Sequence, residues 1–143
     1  MLLTRCRRAL GYAYQMIKTL NMEDRVMGLD QVAYAKENGG GCVDGAQLDV
    51  ATWRKHPNLQ GYMESLWRSR GHKGEFNCVD VELSKQNILK LENVIIKGDL
   101  PKTVGFFYGN DADEYYKKDD LSFCITALNL IKKGYKIYYS SWW

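Results

Sequence analysis

Apolar residues recur along this chain at two spacings, and the changes from one spacing to the other divide it into short elements. From Met27 to Ala35, Leu29 and Gln31 alternate with Asp30, Val32 and Tyr34, the two-residue period of a strand. The Lys36–Gly41 run, ending in three glycines, reads as a hairpin loop, since it lacks the GxxxxGK[ST] spacing of a phosphate loop. Gln47–Lys55 gives a second strand, with Leu48, Val50, Thr52 and Arg54 on one face and Asp49, Ala51, Trp53 and Lys55 on the other.

The period then lengthens. Pro57 suits a first helical position, and Leu59, Tyr62, Met63, Leu66 and Trp67 follow at the spacing of one helical face, up to Arg68, Arg70 and Gly71. Phe76–Leu83 alternates again, which predicts a third strand near the start of that stretch. Ser84 is placed to cap a helix through Lys97, carrying Ile88, Leu91, Val94 and Ile95 inward and ending at Gly98. Thr103–Gly109 is a short aromatic strand, and Asn110–Asp113 starts a longer helix that reaches Lys133 with Tyr116, Phe123, Ala127, Leu128, Leu130 and Ile131 apolar. Tyr135–Trp143 is the last strand. The order β–β–α–β–α–β–α–β predicts an α+β fold of four to five short strands and three helices, the helices mainly on one sheet face.

Residues 1–26 lack this texture. Arg5, Arg7 and Arg8 lead into a weakly amphipathic stretch that reads as an extension outside the domain at 27–143. At 143 residues, the chain has room for one sizeable core. A formal charge of +3 and a pI near 8.6 fall short of the value of about 9 expected of a nucleic-acid coat, so a local basic site fits better. Cys6, Cys42, Cys78 and Cys124 lie too far apart for a zinc or CxxC pattern and read as free thiols of a reducing cytoplasm. Nothing approaches the roughly 18 apolar residues of a membrane span.

Candidate chemistry concentrates at Trp53-Arg54-Lys55-His56, just before a helix start. Backbone N–H groups at a helix N-terminus favour an anion. Arg54 could hold a phosphate or carboxylate, Lys55 could add a point charge, and Trp53 could stack on a base, unless it joins the core. Asn58 and Tyr62 follow on the helix. The consecutive aromatics at Phe106–Tyr108 and Tyr138–Trp143 cannot all enter one core, because successive strand side chains point to opposite faces. Tyr108, Tyr139, Ser140, Ser141 and Trp142 therefore offer stacking and hydrogen-bonding groups for a ligand or a subunit interface. Asp111, Asp113, Glu114, Asp119 and Asp120 fit the acid preference of a helix start better than a metal site, and neither a metal nor another cofactor is expected. No GxSxG, Walker, HExxH or GxGxxG pattern is present.

Several of these stretches, in this order, resemble a widespread family of small phage proteins: Met27–Asp30, Trp53–Lys55, the helix from near Leu59, Gly105–Gly109 with Asp113–Tyr116, and Tyr138–Trp142. Members often carry a phosphoglycerate-kinase label, though this chain is too short for that kinase's two-domain architecture. The resemblance covers about residues 27–143, and Gln60 stands where similar sequences often place histidine. It implies a phage anti-defence sponge in the cytoplasm of an infected bacterium, a homo-oligomer that sequesters a small anionic ligand such as a cyclic nucleotide without cleaving it. Two other readings stay open, an enzyme on a phosphorylated small molecule using His56 or Asp111 and Asp113, and an inhibitor of a host protein.

Overall fold

The computed structural model describes residues 28–37, 47–103 and 113–143. Of the expected Lys36–Gly41 loop, Lys36 and Glu37 continue the first strand instead, while residues 38–41, the aromatic strand expected from Thr103 with Tyr108, the acid Asp111, Cys6, Cys42 and the N-terminal extension lie outside these residues.

The described elements are β1 (Asp30–Glu37), β2 (Gln47–Arg54), α1 (Pro57–Ser69), β3 (Asp80–Leu83), α2 (Lys85–Lys97), α3 (Asp113–Lys132) and β4 (Tyr135–Trp142). The strands form one antiparallel sheet in the order β2-β1-β4-β3, which with three helices makes an α+β arrangement. β1 and β4, the two central strands, pair along their whole length from Asp30–Trp142 to Glu37–Tyr135.

The register decides which side chains meet the helices. Ala33, Ala35, Trp53, Val81, Leu83, Ile137 and Tyr139 share the inner face and join one core with Leu59, Met63 and Trp67 of α1, Ile88, Leu91 and Ile95 of α2, and Phe123, Cys124 and Ala127 of α3. The aromatic conflict of β4 is resolved by its two faces. Tyr139 is buried inward, whereas Tyr138 stacks on Tyr34 of the outer face at 5.3 Å between ring centres, with the Lys36 ammonium 5.6 and 5.7 Å from the two rings.

Three local expectations change. β2 does not alternate strictly: Ala33 pairs with Ala51 but Tyr34 with Asp49, so Val50 is an extra residue, and Leu48 and Asp49 exchange the faces that alternation assigns them. Lys55 leaves the strand in a left-handed conformation (φ 53°) and does not share the face of Trp53. The third strand occupies the end of Phe76–Leu83 and not its start, because Cys78 also has positive φ (57°) and breaks the extended path before Asp80.

α2 follows its sequence signals closely. The Ser84 hydroxyl accepts from the Asn87 backbone N–H while the Asn87 side chain accepts from the Ser84 N–H, and Gly98 closes the helix at φ 68°.

Candidate functional site

The end of β2 divides the expected site residues between the two faces of the sheet. On the outer side, Arg54 Nη1 donates to Asp30 Oδ1 at 2.6 Å, and the Trp142 indole, opposite Asp30 in the register, donates to the same carboxylate. Lys55 is turned toward this group by its positive φ, its backbone N–H donating to Leu29 O at 2.8 Å. A Cβ on Gly28 would lie 2.8 Å from Arg54 Nη2 and 2.9 Å from Lys55 Cε, so both cationic side chains fold over this one glycine. Two cations and an indole thus surround a single carboxylate, and all are partly exposed. Burial pushes the Asp30 carboxyl up, and Arg54, Trp142 and Lys55 offset that only in part.

On the inner side the same corner is dry and polar. His56 is fully buried, its Nε2 2.8 Å from Asp120 Oδ2, while Asp120 Oδ1 accepts from the Trp53 indole at 2.8 Å. Trp53 therefore belongs to the core, edge-on to Phe123, and offers no face for stacking a ligand. Gln31 fixes the His56 backbone, its Oε1 accepting from His56 N at 2.9 Å and its Nε2 donating to His56 O at 3.0 Å. The second Gln31 proton goes to the Tyr139 hydroxyl at 2.8 Å, and that hydroxyl donates to Gln60 Oε1 at 2.6 Å. The amide orientations follow from this network.

Two further contacts extend the inner network, one to the Arg54 backbone and one to the start of α3. Tyr116 stacks on His56 with ring centres 4.8 Å apart, and its hydroxyl accepts from Arg54 N at 3.1 Å and donates to Arg54 O at 2.6 Å. Asn58 donates to Asp113 Oδ1 at 3.0 Å and accepts from Thr103 N at 2.9 Å, tying the starts of α1 and α3 together. His56 Nδ1 lies 4.0 Å from Asp113 Oδ1 and has no hydrogen-bond partner among the described residues; Gln60 Nε2 is the other such buried atom.

Of the expected site residues, Arg54, Lys55 and Trp142 converge on the outer face. Trp53, His56, Asn58 and Tyr139 belong to the buried network. Ser140 and Ser141 are buried in β4, Ser141 O accepting from Cys78 N at 2.8 Å, and Tyr62 packs half-buried on α1 beside Cys124. Gly28, Asp30, Gln31, Tyr116 and Asp120 are additions that pattern reading missed. Asp120 had a legible signal, since it occupies the inward stripe with Tyr116, Phe123 and Ala127, where an unpaired carboxylate would be costly. No cluster of three or more metal-ligating side chains occurs among the described residues.

No protein-family model, curated protein or solved structure matches the chain. The geometry of the corner is therefore the ground for any functional reading.

Proposed function

We propose that the protein binds a small phosphorylated ligand at the outer corner formed by Gly28, Asp30, Arg54, Lys55 and Trp142, and sequesters it without chemistry. The observation that carries this reading is the left-handed turn at Lys55, which brings two consecutive cations to one side of the chain, over a glycine and beside an indole. Non-glycine residues adopt that conformation at a cost of order 1 kcal/mol, so its presence at a cationic corner supports a binding role. Arg54 and Lys55 supply charge for a phosphate, and Trp142 supplies a ring for a base or sugar. Catalysis by His56 gains no support from the site, because the imidazole is buried.

The resemblance to phage anti-defence sponges makes a cyclic nucleotide the first ligand to test, in the cytoplasm of an infected bacterium. Leu89 and Ile96 of α2 and Ile125 of α3 leave apolar surface exposed, which supports self-association as part of this reading. The decisive experiment incubates the protein with a panel of cyclic nucleotides and recovers them by chromatography. Retention followed by intact release on denaturation is expected. The double variant Arg54→Ala, Lys55→Ala should lose at least about 1.5–3 kcal/mol of binding per phosphate while remaining folded. Product formation, or undiminished binding by the double variant, would sink the proposal.

A further inference from the structure

We propose that the outer face of the sheet is a docking surface for a segment of this same chain: residues 9–20 lie there as a helix along β1 and β4 and give the fold a third layer. The inference does not depend on the binding reading given above.

Burial on the outer face exceeds what the described elements give it. Val32 and Tyr34 of β1 stand there opposite Ser140 and Tyr138 of β4. Val32 is 3%, Tyr34 6% and Ser140 4% exposed. Yet all three described helices bury their apolar residues in the core on the inner face, and neither Val32 nor Tyr34 belongs to that core. Side chains stand away from a sheet, so lateral neighbours alone leave their outer ends to solvent. On the edge strands the same face is open: Thr52 and Asp49 of β2 and Glu82 of β3 are exposed. Burial is thus confined to a strip two strands wide, about 10 Å across. That width fits one helix, about 10–12 Å in diameter, better than the broad patch that a second subunit would cover. The burial also exists within a single chain, so a second copy is not needed to produce it.

Length and sequence pattern select the occupant. Outside the described residues lie 1–27, 38–46 and 104–112. The last of these starts and ends on the inner side, since Thr103 and Asp113 are both bonded to Asn58, and 38–46 is the short connection from β1 to β2. Residues 1–27 are the longest and join the fold at Gly28, two residues before Asp30 at one end of the strip. Within them Leu10, Ala13, Tyr14, Ile17 and Leu20 recur at the spacing of one helical face. A helix over 9–20 is about 18 Å long, inside the roughly 26 Å of an eight-residue strand. The link from Leu20 to Gly28 reaches up to about 23 Å, so either direction along the strip is open to it. Such a short helix, with Gly11 near its start, is marginal alone in water. It therefore needs an apolar partner, as Val32 and Tyr34 need a cover.

NMR and amide hydrogen exchange on the full chain test this. The methyl groups of Leu10 and Ile17 should show nuclear Overhauser contacts to the Val32 methyls and the Tyr34 ring. The amides of residues 10–20 should exchange at least about tenfold more slowly than in a free peptide of the same sequence. Ile17→Lys should remove those contacts and return the exchange to the peptide rate, while the amides of β1 and β4 stay protected, because the core on the inner face is untouched. Peptide-like exchange over 10–20 in the native chain overturns the docking, as does protection that Ile17→Lys leaves unchanged. Contacts from Val32 and Tyr34 to residues 38–46 instead would overturn it too. A sample mixing labelled and unlabelled chains separates the remaining cases: contacts within one chain support the docking, and contacts that cross between chains give the face to a second copy and overturn it.

Discussion

Asp30 shows how a partly buried carboxylate can hold several donors without doing much for the fold. It accepts from Arg54 at 2.6 Å and from Trp142, yet burial still pushes its carboxyl up. Desolvation therefore outweighs the attraction of Arg54 and Lys55, as is common for partly buried ion pairs. Asp30→Asn keeps an acceptor for both donors and removes the charge that would compete with an anion at the proposed site. It should change unfolding free energy by less than about 1 kcal/mol, measured in urea, and tighten sulfate binding roughly fivefold. Weakened sulfate binding would show that Asp30 orients Arg54 more than it competes with the anion. Cys124 supplies a contrasting case. Burial, with Glu92 and Asp120 nearby, pushes its thiol up to about 12, far above the value of about 8.5 of an unfolded chain. The folded state thus holds the proton more tightly. Its contribution is complete below about pH 8.5 and is lost as pH rises toward the folded value, because the unfolded chain ionises first. Native protein should resist alkylation at Cys124 at about pH 8 until denaturant is added, and Cys124→Ala should flatten the loss of stability between about pH 8 and pH 9.5. Rapid labelling of the native thiol would contradict that burial.

At the scale of elements, legibility followed how local the governing interaction is. α2 could be read from its ends inward because Ser84, Asn87 and Gly98 act within one turn of each boundary. Ser84→Ala should accordingly cost about 0.5–2 kcal/mol in urea unfolding, with a matching loss of amide protection in the first turn of α2. A cost near zero would mean that the inward Ile88 and Leu91 set the helix start unaided. β2 was legible as a strand but not in its facing, because the extra residue at Val50 arises from pairing with β1, a partner that local alternation does not contain. β3 illustrates the same limit. Phe76, Cys78 and Val79 are all buried, which alternation does not give, because the left-handed Cys78 keeps the ladder from starting before Asp80, and its N–H goes instead to Ser141 O at 2.8 Å. Arg54 and Lys55 were legible as a cationic pair. Their convergence was not, since it depends on a backbone angle at Lys55 and on a glycine just before the neighbouring strand.

Across the whole molecule, the buried polar residues join layers that apolar contacts alone would leave free to slide. Tyr139 links β4 to β1 through Gln31 and to α1 through Gln60, while Asp120 links α3 to β2 through Trp53 and to the start of α1 through His56. The two groups share one residue, since Gln31 holds the His56 backbone whose side chain meets Asp120. Tyr139→Phe leaves the Gln60 oxygen without its donor and should cost about 1–3 kcal/mol. Asp120→Ala strips the partner from both the Trp53 indole and His56 Nε2 and should cost about 3–5 kcal/mol, whereas Asp120→Asn retains an acceptor and should cost less. If the network acts as one unit through His56, the double variant Tyr139→Phe, Asp120→Asn will depart from the sum of the single variants by about 0.5–3 kcal/mol in a urea-unfolding cycle. Additivity within about 0.5 kcal/mol would instead mean that Gln31 isolates the two halves. In that case a disturbance at His56 would travel through Tyr116 to Arg54 without reaching the centre of the sheet.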